Sequence, residues 1–312
     1  MKRITFALII ILALPLVLLA DEYDDQIKKA LETAATNVAE SKKQIDDVIK
    51  KFPDRGAAYI AKGLVLYHFE SDVAHAADEF RKGMSKAQGA EERAAFIKLV
   101  DDQTSRAKSQ EEYNLMQEAV DSRNKNEPEK TIEAMTKAIA LNKLNWKIYY
   151  EMGYALIDAN RHGEAIVYFE QGLAIDPFSN LLLSESIYTY SHLANVDKVK
   201  KMIALWTEYL GDAPELRHEL AYAYLKSDKK DSAIQVLREN IEKFPAFLGS
   251  YYFIGEIYYD AGDCANAKQP LQHFIDENAK GPKDGDNAWL DEAMRMLEDC
   301  NAKEKEQEQD KG

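Results

Sequence analysis

Apolar residues recur along most of the chain at intervals of three and four, the spacing at which side chains share one face of an α-helix. The period-two alternation of apolar and polar residues that indicates β-strands is almost absent. The chain has 14 glycines and 8 prolines, and few of them interrupt the apolar-periodic stretches. The pattern therefore predicts an all-α protein.

This helical pattern recurs with a constant period of about 34 residues between residues 112 and 281. We expect each period to form a hairpin of two antiparallel helices. Small residues allow the two helices to approach closely, so we expect Gly153 of the first helix to lie against Ala165 of the second. A proline then ends the second helix. Each such hairpin leaves an apolar face that only the next hairpin covers. The pattern is clearest at Gly153, Ala165, Phe169, Gly172 and Pro177, and recurs two periods later at Ala221, Ala233, Leu237, Asn240 and Pro245.

These residues, and their period of about 34 residues, resemble those of the tetratricopeptide repeat family. The resemblance implies an α-solenoid of tetratricopeptide-type helical hairpins with a C-terminal capping helix. Residues 112–281 are predicted to form five contiguous units. The unit that begins at residue 180 has large residues, Ile187, Val199 and Trp206, at three positions where small ones are usual. A widened groove or pocket near Trp206 would follow.

The flanks of the array are less regular. Residues 21–111 are predicted to be a helical region with degenerate hairpins, one of which fits the repeat if its inter-helix loop has one extra residue. Residues 91–110 predict an additional helix, separate from or continuous with the first helix of the next repeat. Residues 282–312 predict a capping helix that uses Trp289, Ala293 and Met296, followed by a disordered tail from Lys303 onward.

Residues 1–20 have the layout of a secretory signal peptide. Lys2 and Arg3 precede a nearly continuous apolar run from Ile4 to Leu19, and Ala20 precedes an acidic segment. We expect this segment to direct export across the inner membrane to the periplasm. Because the run is shorter than the ~20 residues that span a bilayer comfortably, an uncleaved N-terminal membrane anchor is the alternative. A eukaryotic secretory compartment also remains open.

The net charge argues against two classes of partner. The formal charge is −14, and loss of the two positive charges of Lys2 and Arg3 with the signal peptide makes it −16. Such a surface repels nucleic-acid phosphates and anionic lipid headgroups. The sequence therefore favours neither nucleic acid nor direct peripheral membrane binding.

The chain has two cysteines, Cys264 and Cys300. In the hairpin arrangement that the resemblance implies, Cys264 lies in the turn of the last repeat, at the same side of the array as the end of the capping helix. In an oxidising compartment we expect a Cys264–Cys300 disulfide, worth ~3 kcal/mol in the chain-entropy model. Two free thiols are the alternative.

The sequence indicates no catalytic centre, metal site or cofactor. Zinc-protease, phosphate-loop and serine nucleophile motifs are absent from it. His68 and His75 flank one predicted turn, which is more typical of a solvated loop than of a metal site. We therefore expect a protein that is not an enzyme.

The resemblance implies that the first helix of each hairpin lines a concave surface where ligands bind. Tyr154 has equivalents one and two repeats later in Tyr188 and Tyr222. Tyrosine supplies contact area and a polar group at interfaces, although these rings could instead pack against neighbouring helices. The predicted partner-binding residues are Lys147, Tyr150, Tyr154, Tyr188, His218, Tyr222, Tyr252 and Tyr259.

From these features we expect an exported, non-catalytic scaffold that binds a protein or peptide on its concave face within a cell-envelope assembly. The alternative is a small-molecule or transporter-associated periplasmic binding protein with a pocket near Trp206. A structural oligomer built by groove or end-to-end contacts is a third possibility, and the sequence alone does not set the oligomeric state.

Overall fold

The computed structural model describes residues 22–280 and 288–309, with side chains described as far as residue 305. The predicted signal peptide, residues 1–20, lies outside the described residues. Every regular element in the described part is helical, which confirms the all-α prediction. Among these helices none is both long and apolar enough to cross a bilayer.

The chain divides into two compact units, each of which is described by itself. The first unit contains the described residues up to Thr189 together with Glu208–Gly211. Its helices are α1 (Glu22–Ala34), α2 (Val38–Lys51), α3 (Ala57–Val65), α4 (Val73–Ser85), α5 (Ala90–Thr104), α6 (Gln110–Asn124), α7 (Pro128–Leu141), α8 (Trp146–Asp158), α9 (His162–Ile175) and most of α10 (Asn180–His192).

The second unit contains Tyr190–Thr207 and the described residues from Asp212 onward. Its helices are most of α11 (Val196–Leu210), then α12 (Glu215–Lys226), α13 (Lys230–Lys243), α14 (Gly249–Asp260), α15 (Cys264–Asn278) and α16 (Ala288–Gln309). Within each unit most helices pack as hairpins against a chain neighbour. The predicted fold class, an α-solenoid of tetratricopeptide-type hairpins, is confirmed.

The turns inside the hairpins carry the repeat period most clearly. In the turns that follow α6, α8, α10, α12 and α14, one residue each has a positive φ, between 56° and 74°. This left-handed backbone suits Gly, Asn and Asp, which occupy all of these positions but one. Since a left-handed residue after a helix ends it and turns the chain back, these residues fix where each first helix ends. The residues are Asn126, Asn160, Ala194, Asp228 and Gly262.

The glycine of the first helix faces a large side chain of the second. The nearest neighbour of Gly153 is the Phe169 ring, rather than Ala165 as the sequence led us to expect, and both Phe169 and Ala165 are fully buried. At the equivalent Gly255, a Cβ would lie 2.5 Å from Leu271 Cγ, closer than atoms can pack. Glycine at this position therefore makes room for the large residue that fills the hairpin.

The N-terminal region differs from the prediction in one detail. The extra residue of its second hairpin lies in a π-helical turn, residues 66–70, that continues α3, rather than in the inter-helix loop. A π-turn absorbs one residue without breaking the helix. The predicted additional helix is α5, which residues 105–109 separate from α6.

This region also contacts later repeats of the first unit. Helix α4 packs against α9, which is distant in the sequence. The Tyr67 hydroxyl donates to the Leu144 carbonyl, and Trp146 Nε1 donates to Asp101 Oδ1 at 3.0 Å. The first unit is therefore held together by contacts beyond nearest neighbours.

The predicted capping helix is α16, which packs on α15 and α14 and buries Ala293, Met296 and Cys300. It continues to Gln309, past the point where the sequence predicts disorder. Cys264 and Cys300 have their Cα atoms 5.1 Å apart and their sulfurs at bonding distance, so the geometry accommodates the predicted disulfide.

Candidate partner-binding surfaces

In the first unit the predicted tyrosines of α8 lie together and are half-buried. The ring centroids of Tyr150 and Tyr154 are 6.0 Å apart, and Tyr150 also lies near Phe169, at 6.5 Å. Burial raises the pKa of Tyr150 to about 12. Lys147 places its Nζ 5.5 Å from the ring centroid of Trp146. Tyr150 thus packs partly into its own hairpin, and Tyr154 lies beside it.

An arginine completes the surroundings of Tyr154. Arg123 at the end of α6 pairs with Glu151 of α8, with 2.9 Å between Nη1 and Oε2. Its guanidinium carbon also lies 5.3 Å from the centroid of the Tyr154 ring. Burial raises the pKa of Glu151, and the positive charge of Arg123 opposes that rise. We call Arg123, Glu151 and Tyr154 the arginine cluster.

Tyr188, the next predicted tyrosine, lies on the part of α10 that belongs to the first unit. It is half-buried, and its ring centroid lies 6.3 Å from that of His162. The structure therefore brings Tyr188 next to an aromatic residue of the preceding hairpin while part of its surface stays open.

The second unit contains a cavity of about 510 Å³ between α12 and α14, with one wall residue from the end of α10. We call it the unit-two cavity. Its apolar and aromatic walls come from Ala221, Leu225, Leu237, Phe253 and Ile257, with the Tyr222 ring. A volume of this size suits a large side chain or a small molecule.

His218 forms part of the wall and is uncharged. Its ring lies 4.6 Å from that of Phe253, centroid to centroid, and burial lowers its pKa to about 4. His218 Nε2 lies 3.2 Å from Ser250 Oγ, and Asn240 Nδ2 donates to the same oxygen at 2.9 Å. This bonding holds the imidazole in place as a neutral polar group.

Three carboxylates also line the cavity, from Glu219, Glu256 and Asp260. Glu219 accepts a hydrogen bond from the Ser191 hydroxyl, and Tyr252 Oη donates to Glu256 Oε1 at 3.3 Å. Burial raises the pKa of Glu256, and the nearby charge of Asp260 raises it further. Among the residues that the structure describes, none of the three carboxylates forms an ion pair.

These acids do not form a metal site. Within the described ranges, no group of three His, Cys, Asp or Glu side chains is placed to hold a metal ion. The cavity therefore offers unneutralised negative charge beside aromatic rings, an arrangement that suits an organic cation.

The remaining predicted residues separate into surface and core. Tyr222 lines the cavity, with its ring centroid 4.7 Å from that of His192. Tyr252 is only 5 % exposed and stacks on Trp289 at 5.3 Å, so it is a core residue and not the groove residue that the sequence predicts. Tyr259 donates to Asp299 Oδ2 of the capping helix at 2.7 Å.

The unit-two cavity thus unites His218 and Tyr222, while Trp206 is not among its lining residues. Sequence reasoning missed Glu219, Glu256 and Asp260 because acidic residues are frequent in this chain. One signal was available: Glu219 stands two repeats after Glu151, in the same frame that relates Tyr222 to the tyrosine of the arginine cluster.

Comparison with known proteins supports the fold. Residues 147–179, which cover α8 from its second residue and all of α9, match the family model of the tetratricopeptide repeat. A search of curated proteins finds no match. The match identifies this hairpin as a tetratricopeptide repeat.

Solved structures with a similar fold include MamA residues 41 to the end from Desulfovibrio magneticus, a tetratricopeptide repeat protein from Parabacteroides merdae, and YrrB, described as having an unusual peptide-binding site. The first is 13% identical over 56% of this chain and 100% of its own, with a TM-score of 0.45. The second is 12% identical over 88% and 98%, with a TM-score of 0.41. The third is 12% identical over 66% and 95%, with a TM-score of 0.37. At these values none of them bears on the function of this chain.

Proposed function

We propose that this chain, which contains a tetratricopeptide repeat, is an exported, non-catalytic scaffold that binds a protein or peptide partner within a cell-envelope assembly. The observation that carries the proposal is the recurrence of a tyrosine at one position of three successive first helices. Tyr154, Tyr188 and Tyr222 are each half-buried, so each ring is partly held by neighbouring side chains and presents a remaining face. Such rigid, amphipathic rings are typical of binding surfaces.

Export is supported by two independent features. Residues 1–20 have the layout of a signal peptide. Cys264 and Cys300 are placed to form a disulfide, and structural disulfides persist in oxidising compartments. Fractionation of cells that express the full chain, with an N-terminal sequence of the product, tests this part. A cytosolic product that retains residues 1–20 would contradict it.

Partner binding is tested by crosslinking in intact cells. Simultaneous Tyr154→Ala, Tyr188→Ala and Tyr222→Ala substitutions should abolish the crosslinked adduct of the wild-type chain, because three contact rings are lost. Circular dichroism should show unchanged helicity, since all three rings keep an exposed face. Tyr113, which is 51% exposed and outside the tyrosine series, supplies the control: Tyr113→Ala should leave the adduct intact. An undiminished adduct in the triple variant would contradict the proposal.

The alternative function is small-molecule binding, and the unit-two cavity favours it. Its volume of about 510 Å³ lies within the range of ligand sites. This alternative predicts that low-molecular-weight extract from the native compartment raises the unfolding temperature of the chain. It also predicts that the tyrosine variants capture no fewer proteins than the wild type does.

A further inference from the structure

The unit-two cavity has a counterpart in the first unit. Glu219 and Tyr222 stand two repeats after Glu151 and Tyr154, so both pairs occupy the same positions on the first helix of a repeat. In the first unit Arg123 ion-pairs with the carboxylate and lies over the tyrosine ring. That site is neutralised by the chain's own side chain.

In the second unit the arginine is replaced. The residue that stands two repeats after Arg123 is Ser191. Its hydroxyl donates to Glu219, at the position where Arg123 donates to Glu151. A hydroxyl satisfies one hydrogen bond but cannot neutralise the charge, and its short side chain does not fill the space of a guanidinium.

Two further acids line the cavity. Glu256 and Asp260 line it beside Glu219, and among the described residues none of them is ion-paired. Lys226 Nζ lies 5.3 Å from the centroid of the Tyr222 ring, and this lysine is exposed. His218 is neutral near pH 7 and so does not oppose a cation. The acids therefore remain available to a positive group from outside.

We propose that the unit-two cavity receives an arginine side chain of the partner polypeptide, in the manner in which Arg123 sits in the arginine cluster. The inference rests on the proposed function, since it assigns the chemistry of one partner residue. Arginine is favoured over lysine because its planar guanidinium stacks on aromatic rings and donates to two carboxylates at once. Tyr222 and Phe253 offer the rings, and Glu219 and Asp260 come from the two opposing helices.

A pair of pentapeptides tests the inference directly. The probes are acetyl-Gly-Ser-Arg-Ser-Gly-amide and its citrulline counterpart, which keeps the shape and removes the charge. They are titrated into the full chain and followed by nuclear magnetic resonance at Tyr222 and Phe253. A single anchored residue should bind with a Kd of about 1 mM, and citrulline should bind about tenfold more weakly, a loss of about 1.4 kcal/mol.

Substitutions locate the binding. Glu219→Gln combined with Asp260→Asn should abolish the preference for arginine, since the carboxyl shapes persist while their charges are lost. Ser191→Arg should also weaken arginine-peptide binding at least about tenfold by supplying the cation internally. Glu242→Gln, at an exposed acid of α13 that does not line the cavity, is the matched control and should bind as the wild type does.

Two outcomes would overturn the inference: equal affinity for the two peptides, or no saturable shift at Tyr222 and Phe253. If the peptides fail while the triple tyrosine variant still loses its adduct, the arginine inference alone is wrong. If the peptides discriminate while that variant keeps its adduct, the proposed function alone is wrong.

Discussion

The two units carry equivalent glutamates, Glu151 and Glu219, in different electrostatic surroundings. In the first unit Arg123 forms an ion pair with Glu151 and lies beside the Tyr154 ring. The second unit leaves Glu219 without an ion pair in the described chain, next to an open cavity. The helices that carry the two sites occupy the same positions of the repeat. The difference therefore arises from side chains and not from the backbone frame.

This comparison shows how a repeat protein separates stability from binding. A charge that the chain pairs internally stabilises the fold and offers nothing to a partner. A charge that the fold leaves unpaired costs stability and becomes available for recognition. The capping helix, with Cys264 and Cys300 at bonding distance, lies in the unit that carries the open cavity.

The largest expected effect comes from removing that covalent link. Cys264→Ser with Cys300→Ser opens a loop that joins residues separated by 36 positions, and the free energy of unfolding of the second unit should fall by about 3 kcal/mol. Hydrogen exchange should accelerate in α14–α16 and stay unchanged in α8–α9. Wild-type chain under reductant should behave as the variant does, and equal exchange in both states would contradict this prediction.

Acid should destabilise the second unit through His218. Its pKa is about 4 in the folded chain against an ordinary value of 6.5, so the unfolded chain takes up a proton first as pH falls. The contribution is fully present above pH 6.5, and roughly 3 kcal/mol is lost as pH falls toward 4. His218→Gln should remove this slope from denaturant unfolding curves of the second unit, and a slope that survives the substitution would refute the assignment. His68 of the first unit, with its pKa also lowered to about 4, is the internal reference.

The smallest expected effect is a difference between the two equivalent sites in how much free energy of unfolding a substitution removes. Arg123→Met leaves Glu151 half-buried without its partner, so the first unit should lose about 1–2 kcal/mol. Glu219→Gln removes an unpaired charge, so the second unit should change by less than about 0.5 kcal/mol. Hydrogen exchange followed at increasing urea concentrations reports the free energy of unfolding of each unit and so measures both stability changes. Comparable losses at the two sites would show that Glu219 is neutralised within the fold and would break the comparison.

Much of the fold could be predicted because the architecture of a repeat depends on residues that are close in the sequence. The recurrence of Gly153, Phe169 and their equivalents specifies where two helices meet, and apolar spacing specifies which face is buried. The same reasoning placed the additional helix α5 and the capping helix. It misplaced the extra residue of residues 66–70, because a π-turn and a longer loop have the same residue count.

The binding surface was harder to predict. Periodicity identified Tyr154, Tyr188 and Tyr222 as one series, but it could not tell Tyr222, at a cavity, from Tyr252, which is buried under Trp289. The error arises because Trp289 belongs to the capping helix, outside the repeat frame. No local pattern states that these two rings stack.

By itself, the sequence determined the helical class and the register of the repeats, because both depend on residue type at short or regular spacing. Only the tertiary structure decided which carboxylates remain unpaired. That property depends on the distance between side chains of different helices, as between Arg123 and Glu151 or Ser191 and Glu219. Whether a carboxylate is neutralised depends on which side chains of other helices lie within reach, and the cavity beside Glu219 likewise exists only between packed helices.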